Sequence, residues 1–152
     1  MGYILPIRHR PRPGLWVGGR QSRTDSPGNR QRVLTSEAIR PDGVIIQEIS
    51  PQELKEKMDR GDPLVLVDVR EPFERLLADL PDYGQERIPV KDIPTNGPQL
   101  DREAEIVMYC RSGPRSAWAT ERLMAMGFRR VFNLKGGILG WRSQVDPSMP
   151  SY

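Results

Sequence analysis

The sequence of 152 residues lacks the material for several common kinds of site, because it contains one cysteine and one histidine. A single cysteine cannot form an internal disulfide, and no apolar run approaches the roughly 20 residues of a membrane span. We therefore expect a cytoplasmic protein that makes no membrane contact. The histidine, His9, lies in a basic N-terminal segment, so we do not expect a cysteine–histidine catalytic pair.

Positive charge is concentrated in the first 43 residues. They contain 8 Arg, 3 acidic residues, 5 Pro and 6 Gly, whereas residues 44–152 contain 15 basic and 17 acidic residues. Residues 1–43 also lack the apolar periodicity whose burial would offset the entropy of ordering. We predict a disordered leader over 1–43, whose deletion leaves folding unchanged, and one globular domain over 44–152.

Two functional interpretations of this leader are a basic arm that binds RNA or acidic partners and an Arg-rich targeting peptide. The segment has Arg without Lys, several prolines and no aromatics interleaved with the charges beyond Trp16. These features favour a plain unstructured extension, and we expect no nucleic-acid partner.

Residues 44–152 alternate between strand and helix patterns. Patterns typical of helices begin at Ser50-Pro51 and lie within residues 72–79, 114–126 and 136–141. Five short apolar segments with strand character alternate with these patterns: VIIQEIS, PLVLVDV, RIPV, EIVMYC and RRVFNL, at residues 44–50, 63–69, 87–90, 105–110 and 129–134. This alternation predicts an α/β fold with a parallel sheet of about five strands, flanked by helices on both faces.

The single cysteine lies in CRSGPRS, residues 110–116, between a predicted strand and a predicted helix. Reactive groups in parallel α/β sheets gather outside the carboxyl ends of the strands. Backbone amides, the start of the helix and the guanidinium groups of Arg111 and Arg115 all favour negative charge on the Cys110 sulfur. We therefore expect a mainly ionised, nucleophilic sulfur at neutral pH rather than an inert buried cysteine.

The size of this loop favours one kind of anion. Four residues separate Cys110 from Arg115, whereas the loops of tyrosine-type and dual-specificity phosphatases have one residue more. A smaller loop has fewer amides for a phosphoryl group but suits the single extra sulfur of a persulfide. A cysteine phosphatase or arsenate reductase is therefore the less favoured alternative.

Three motifs in this order resemble those of single-domain rhodaneses, the thiosulfate sulfurtransferase family: DVREPFE at 68–74, YCRSGPRS at 109–116 and NLKGGILGW at 133–141. The resemblance implies a rhodanese-like fold in which Cys110 accepts sulfane sulfur from thiosulfate or another donor. It also implies transfer of that sulfur to a thiol, cyanide or a sulfur-carrier protein, with no metal or organic cofactor. A non-catalytic binding or redox-sensing module of the same family is the alternative to an enzyme.

The resemblance also implies roles for individual residues. Cys110 would be the nucleophile and persulfide carrier, and Asp68, Arg70 and Ser116 would support the loop from outside it. Pro114 is expected in the first turn of the following helix, where its missing N–H leaves no intrahelical bond unmade. The cradle for the anion would consist of Arg111, Ser112, Gly113, Pro114 and Arg115, with backbone amides holding the terminal sulfur and the two arginines attracting the donor.

Two stretches bear on specificity and partners. Residues 78–90, ADLPDYGQERIPV, replace a Gly-His-Ile-Pro-Gly-Ala-like stretch that is usual in the family, which leaves the donor preference open. The tail WRSQVDPSMPSY, 141–152, resembles the end of rhodanese domains fused to adenylyltransferases of molybdopterin and thiamine synthesis. The chain has no nucleotide-binding glycine fingerprint or zinc-type cysteine pairs, so the resemblance implies sulfur supply to such a pathway rather than adenylylation.

Overall fold

A computed structural model describes residues 35–152, in which six strands form a mixed sheet with the order β1-β2-β6-β5-β3-β4. All neighbouring pairs are parallel except β1 and β2, which are antiparallel. The predicted α/β fold with five parallel strands is therefore confirmed, and an antiparallel edge strand adds to it. The strands are β1 Thr35–Ile39, β2 Ile45–Ile49, β3 Leu64–Asp68, β4 Glu86–Arg87, β5 Glu105–Tyr109 and β6 Val131–Leu134.

The strand β1 lies within residues 1–43, which we predicted to be a disordered leader. It pairs along its whole length with β2, from Thr35 opposite Ile49 to Ile39 opposite Ile45. An edge strand is held by backbone hydrogen bonds and needs little apolar pattern, which explains why composition does not reveal it. The ordered part therefore begins before residue 44. The rest of the leader, residues 1–34, lies outside the described residues, and its disorder stays a prediction.

Helices cover both faces of the sheet. The predicted helix start at Ser50-Pro51 is the start of α1, Pro51–Asp59. A capping box begins it, because the Glu53 amide donates to Ser50 Oγ at 3.2 Å and the Ser50 amide donates to Glu53 Oε2 at 3.3 Å. The helix predicted over 72–79 is a short 3-10 helix, Pro72–Leu76, and α2 lies in a proline-containing stretch with no helix signal. The α-helices are α1 Pro51–Asp59, α2 Ile93–Asn96, α3 Pro114–Ala125 and α4 Gly137–Gln144.

The central strands contribute to two cores. Leu66 and Tyr109 are buried with α1 and α4 on one face, and Met108 is buried with α2 and α3 on the other. The apolar side of α3 faces the sheet, since Ala119 and Leu123 are fully buried. In residues 35–152 there is no helix with the length and apolar character needed to cross a bilayer. The carboxyl ends of β3, β5 and β6 lie side by side at one edge, where the Cys110 loop begins.

Candidate active site

Cys110 directly follows β5 and is 1% exposed. Its Sγ accepts a hydrogen bond from the Gly113 amide at 3.1 Å and lies 3.3 Å from Ser116 Oγ. The loop then enters α3, whose N-terminal end adds partial positive charge beside the sulfur. Of the predicted cradle amides, that of Gly113 therefore directly contacts the sulfur.

Two carbonyl groups of the loop, those of Cys110 and Arg111, are bound by α4. Ile138 and Leu139, in the first turn of α4, donate backbone N–H groups to the Cys110 and Arg111 carbonyl oxygens, both at 3.0 Å. Gly137, at φ +58°, makes this approach possible, because a Cβ there would overlap the Cys110 carbonyl and lie 2.7 Å from the Arg111 carbonyl oxygen. These two bonds to α4 anchor the start of the loop, and the Gly113 amide faces the sulfur. We did not predict this role of the Gly-Gly pair, although it belongs to the third motif.

The backbone at Gly113 and Pro114 explains the sequence of the turn. Gly113 has φ +118°, and a Cβ placed there would meet nothing closer than 3.8 Å. The glycine is therefore required by its dihedral angle and not by a close approach. Pro114 is the first residue of α3, the position predicted for it, and the Gly113 carbonyl accepts from the Ala117 amide at 2.8 Å.

Arg115 is held in place by Glu74, on the 3-10 helix after β3. Two hydrogen bonds of 2.8 Å join the Arg115 guanidinium to the two Glu74 carboxylate oxygens. Glu74 is 5% exposed. The Arg115 guanidinium lowers the pKa of this carboxyl from its ordinary value to about 2. Glu74 lies inside the DVREPFE motif, so the sequence contained a signal for it, but we did not select it as a site residue.

Tyr152 connects the two arginines of the loop. Arg111 Nε donates to the Tyr152 backbone carbonyl, and the Arg111 guanidinium lies 5.4 Å from the centre of the tyrosine ring. The Tyr152 hydroxyl accepts from Arg70 Nη1 at 2.8 Å and donates to Glu74 Oε1 at 3.2 Å. Burial raises the pKa of the Tyr152 hydroxyl, which keeps it protonated as a donor. Sequence reasoning missed this residue, because its contacts span 41 to 82 positions.

Asp68 and Arg70 form a buried ion pair next to Tyr152. Arg70 Nε and Nη2 donate to the two Asp68 oxygens at 2.9 and 3.0 Å, and Arg87 reaches Asp68 at 2.7 Å. Arg70 connects to the loop through the Tyr152 hydroxyl. Its side chain is fully buried, so it supports the tyrosine and is not available to an anion from solvent.

Ser116, whose Oγ lies 3.3 Å from the sulfur, belongs to a second polar network. Its Oγ lies 2.6 Å from Asn133 Oδ1, and Asn133 Nδ2 donates to Glu48 Oε2 at 3.1 Å. Glu48 and Asn133 are opposite each other in the parallel pair β2 and β6. Sequence reasoning selected Ser116 but missed its two partners, because their approach depends on the strand order.

A cleft of about 410 Å³ lies between the end of β1 and the Cys110 loop. Ser112, Gly113 and Pro114 form its wall on the loop side, and Ile39 and Glu48 are among the residues opposite. Thus Gly113 and Ser116 contact the sulfur, while Ser112, Gly113 and Pro114 line the cleft.

Together these elements define a class: an α/β protein with a single buried cysteine in a short amide-rich loop at the carboxyl edge of a parallel sheet. The family model of the Rhodanese-like domain matches residues 50–144. The chain therefore belongs to the rhodanese-like family, which confirms the resemblance of the three motifs.

Relatives of the chain include proteins named as sulfurtransferases. The "Sulfurtransferase" of Allochromatium vinosum is 36% identical over 97 residues, covering 64% of this chain and 89% of the relative. The "Probable adenylyltransferase/sulfurtransferase MoeZ" of Mycobacterium tuberculosis is 36% identical over 107 residues, covering 68% of this chain but only 26% of that protein. A solved rhodanese-like domain protein from Staphylococcus aureus superposes with a TM-score of 0.57 and 30% identity, covering 69% of this chain and 97% of that one.

Proposed function

We propose that this protein is a sulfurtransferase that carries sulfane sulfur as a persulfide on Cys110. The observation that carries the proposal is the Gly113 amide 3.1 Å from Cys110 Sγ, in a loop whose Cys110 and Arg111 carbonyls are anchored by α4. Such a loop stabilises negative charge on sulfur without a neighbouring base. The sulfurtransferase names of relatives that match this domain support the same activity.

The proposed reaction has two displacements at sulfur. In the first, the Cys110 thiolate attacks the sulfane sulfur of thiosulfate, a new S–S bond forms, the bond within thiosulfate breaks, and sulfite leaves with the electron pair. In the second, a thiolate or cyanide attacks the terminal sulfur of the persulfide, and its S–S bond breaks to regenerate the Cys110 thiolate. Neither step requires a metal or an organic cofactor.

We assign the arginines to the anionic donor and the amides to the terminal sulfur. Arg115, fixed by two bonds to Glu74, and Arg111, packed on Tyr152, would attract and orient thiosulfate at the rim. The amides of Arg111, Ser112, Gly113 and Arg115 would then hold the terminal persulfide sulfur, and Pro114 would keep the turn rigid.

A sulfur-carrier protein is the partner that we propose for the second displacement in the cell. The match to the rhodanese part of the relative named MoeZ, which also carries the adenylyltransferase name, supports sulfur supply to a carrier or cofactor-synthesis pathway. We place the protein in the reducing cytoplasm, where a lone thiol persists, without nucleic-acid or membrane partners.

Turnover assays test this proposal. With thiosulfate as donor and cyanide or a small thiol as acceptor, we expect sulfite release by the wild type and none by a folded Cys110→Ser variant. Sustained hydrolysis of a phosphate ester that depends on Cys110 would instead support a phosphatase. Partner binding retained by Cys110→Ser, with no sulfur transfer by the wild type from any sulfane donor, would support a non-catalytic module.

A further inference from the structure

The Ser116 hydroxyl has one proton and three acceptors around it. Its Oγ lies 2.6 Å from Asn133 Oδ1, 3.1 Å from the Gly113 carbonyl oxygen and 3.3 Å from Cys110 Sγ. A hydroxyl can donate only one hydrogen bond at a time. The direction of this proton therefore decides whether the sulfur faces a donor or a lone pair of the serine oxygen.

Glu48 fixes the orientation of Asn133. An ionised carboxylate only accepts hydrogen bonds, so the Asn133 amide must turn its NH₂ group toward Glu48 Oε2, 3.1 Å away. The Asn133 carbonyl oxygen then faces Ser116 and takes the hydroxyl proton over the shortest of the three distances. Ser116 consequently presents oxygen lone pairs to the sulfur, an arrangement that suits an S–H donor and not a sulfur anion.

We propose that Asn133, oriented by Glu48, is a positioning residue that competes with the Cys110 anion for the Ser116 proton and thereby sets the pH range of sulfur loading. The inference rests on the proposed persulfide function and deepens it. To donate to the thiolate or persulfide anion, the hydroxyl must leave Asn133, whose oxygen then loses its buried donor. Alternatively, the amide flips, which places its oxygen against the Glu48 carboxylate.

Other charged groups lie near the Cys110 sulfur and near Glu48. On the sulfur side these are Arg115, paired with Glu74, and the N-terminal end of α3. On the Glu48 side, Arg40 shares the cleft and lies 3.1 Å from Glu121 of α3. A test of the proposal must therefore separate the charge of Glu48 from its control of the amide.

Glu48→Gln is the variant that releases Asn133, because a neutral amide can face either end of the asparagine side chain. We expect the pH midpoint of thiolate formation to move about one unit lower, comparable to the gain of one hydrogen bond to a charged sulfur. The thiolate is followed by its ultraviolet absorbance and by the rate of iodoacetamide alkylation. Cys110 is the chain's one cysteine, so Cys110→Ser provides a clean blank.

The decisive control repeats Glu48→Gln in a Ser116→Ala background. If only the loss of negative charge matters, Glu48→Gln lowers the pH midpoint equally with and without the serine hydroxyl. If the proposal holds, the shift in the Ser116→Ala background is less than about 0.3 unit. Equal shifts in both backgrounds, or no shift in either, would overturn the proposal. If Ser116→Ala does not fold, Asn133→Leu, which removes the competing acceptor, must show the same downward shift, and its absence also overturns the proposal. Thiosulfate loading of the wild type is measured separately, so failure of the proposed function is distinguishable from failure of this inference.

Discussion

Replacing Glu74 by glutamine removes the negative charge that holds Arg115 in the Cys110 loop. The carboxylate is nearly buried and forms two 2.8 Å bonds to the guanidinium. Glutamine has almost the same shape but no charge and only one acceptor oxygen. The variant therefore tests the electrostatic part of this contact with little change in packing.

The magnitude follows from the titration of the carboxyl group. Its pKa is lowered from 4.5 to about 2, mainly by the hydrogen bonds from Arg115. At about 1.4 kcal/mol per unit this corresponds to about 3 kcal/mol. The side chain of Arg115 is 36% exposed, so we reduce the expected contribution to about 2 kcal/mol for solvent screening.

The sign of the pH dependence is determined by the lowered pKa. Between pH 4.5 and 2 the unfolded state binds more protons at this position than the folded state. The stabilisation is therefore present above about pH 4.5 and is lost as the pH falls toward 2. The free energy of unfolding of Glu74→Gln should be about 2 kcal/mol lower than that of the wild type at pH 7. This difference should shrink progressively below pH 4.5.

Urea titrations at pH 7, 5 and 3, followed by tryptophan fluorescence and by circular dichroism, measure this difference. Glu56→Gln, a change at an exposed position of α1, is the matched control and should lie within about 0.5 kcal/mol of the wild type at each pH. A loss for Glu74→Gln that is equally large at pH 3 and pH 7 would contradict the ion-pair explanation, and so would no loss at pH 7.

Four further changes test separate parts of the structure. Gly137→Ala should abolish sulfur loading, measured by sulfite release, because its Cβ would overlap the Cys110 carbonyl; unchanged loading would refute the anchoring by α4. Pro114→Ala should keep activity within about threefold, since the first turn of a helix does not require proline, and a large loss would show that loop rigidity matters. Tyr152→Phe removes the hydroxyl that joins Arg70 to Glu74. It should raise KM for thiosulfate more than it lowers kcat, and a fall in kcat alone would contradict a role of Tyr152 in positioning the arginines for the donor. Deletion of residues 1–43 removes β1, so Tm should fall by at least about 3 °C, and an unchanged Tm would show that the strand is dispensable.

Local patterns made much of the fold predictable. Ser50 and Glu53 form the capping box that begins α1, and the apolar run before Asp68 forms a central strand because both of its faces are covered. Cys110 was placed at the end of a strand by the same kind of pattern. These features depend on neighbours in sequence, so composition and spacing record them.

The parts that sequence reasoning missed depend on contacts between distant segments. Asn133 reaches Glu48 across 85 positions, and Tyr152 reaches Arg70 across 82. Neither pairing has a spacing rule, because each follows from strand order or from the path of the tail. The edge strand β1 was missed for a related reason, since its partner is the backbone of β2 and not an apolar core.

Intact-mass analysis after incubation with thiosulfate tests the central claim most directly. If Cys110 carries sulfane sulfur, the wild-type protein gains about 32 Da, a reducing thiol removes the added mass, and a folded Cys110→Ser protein gains nothing. The same gain on Cys110→Ser, or no gain by the wild type with thiosulfate or any other sulfane-sulfur donor, would contradict the account.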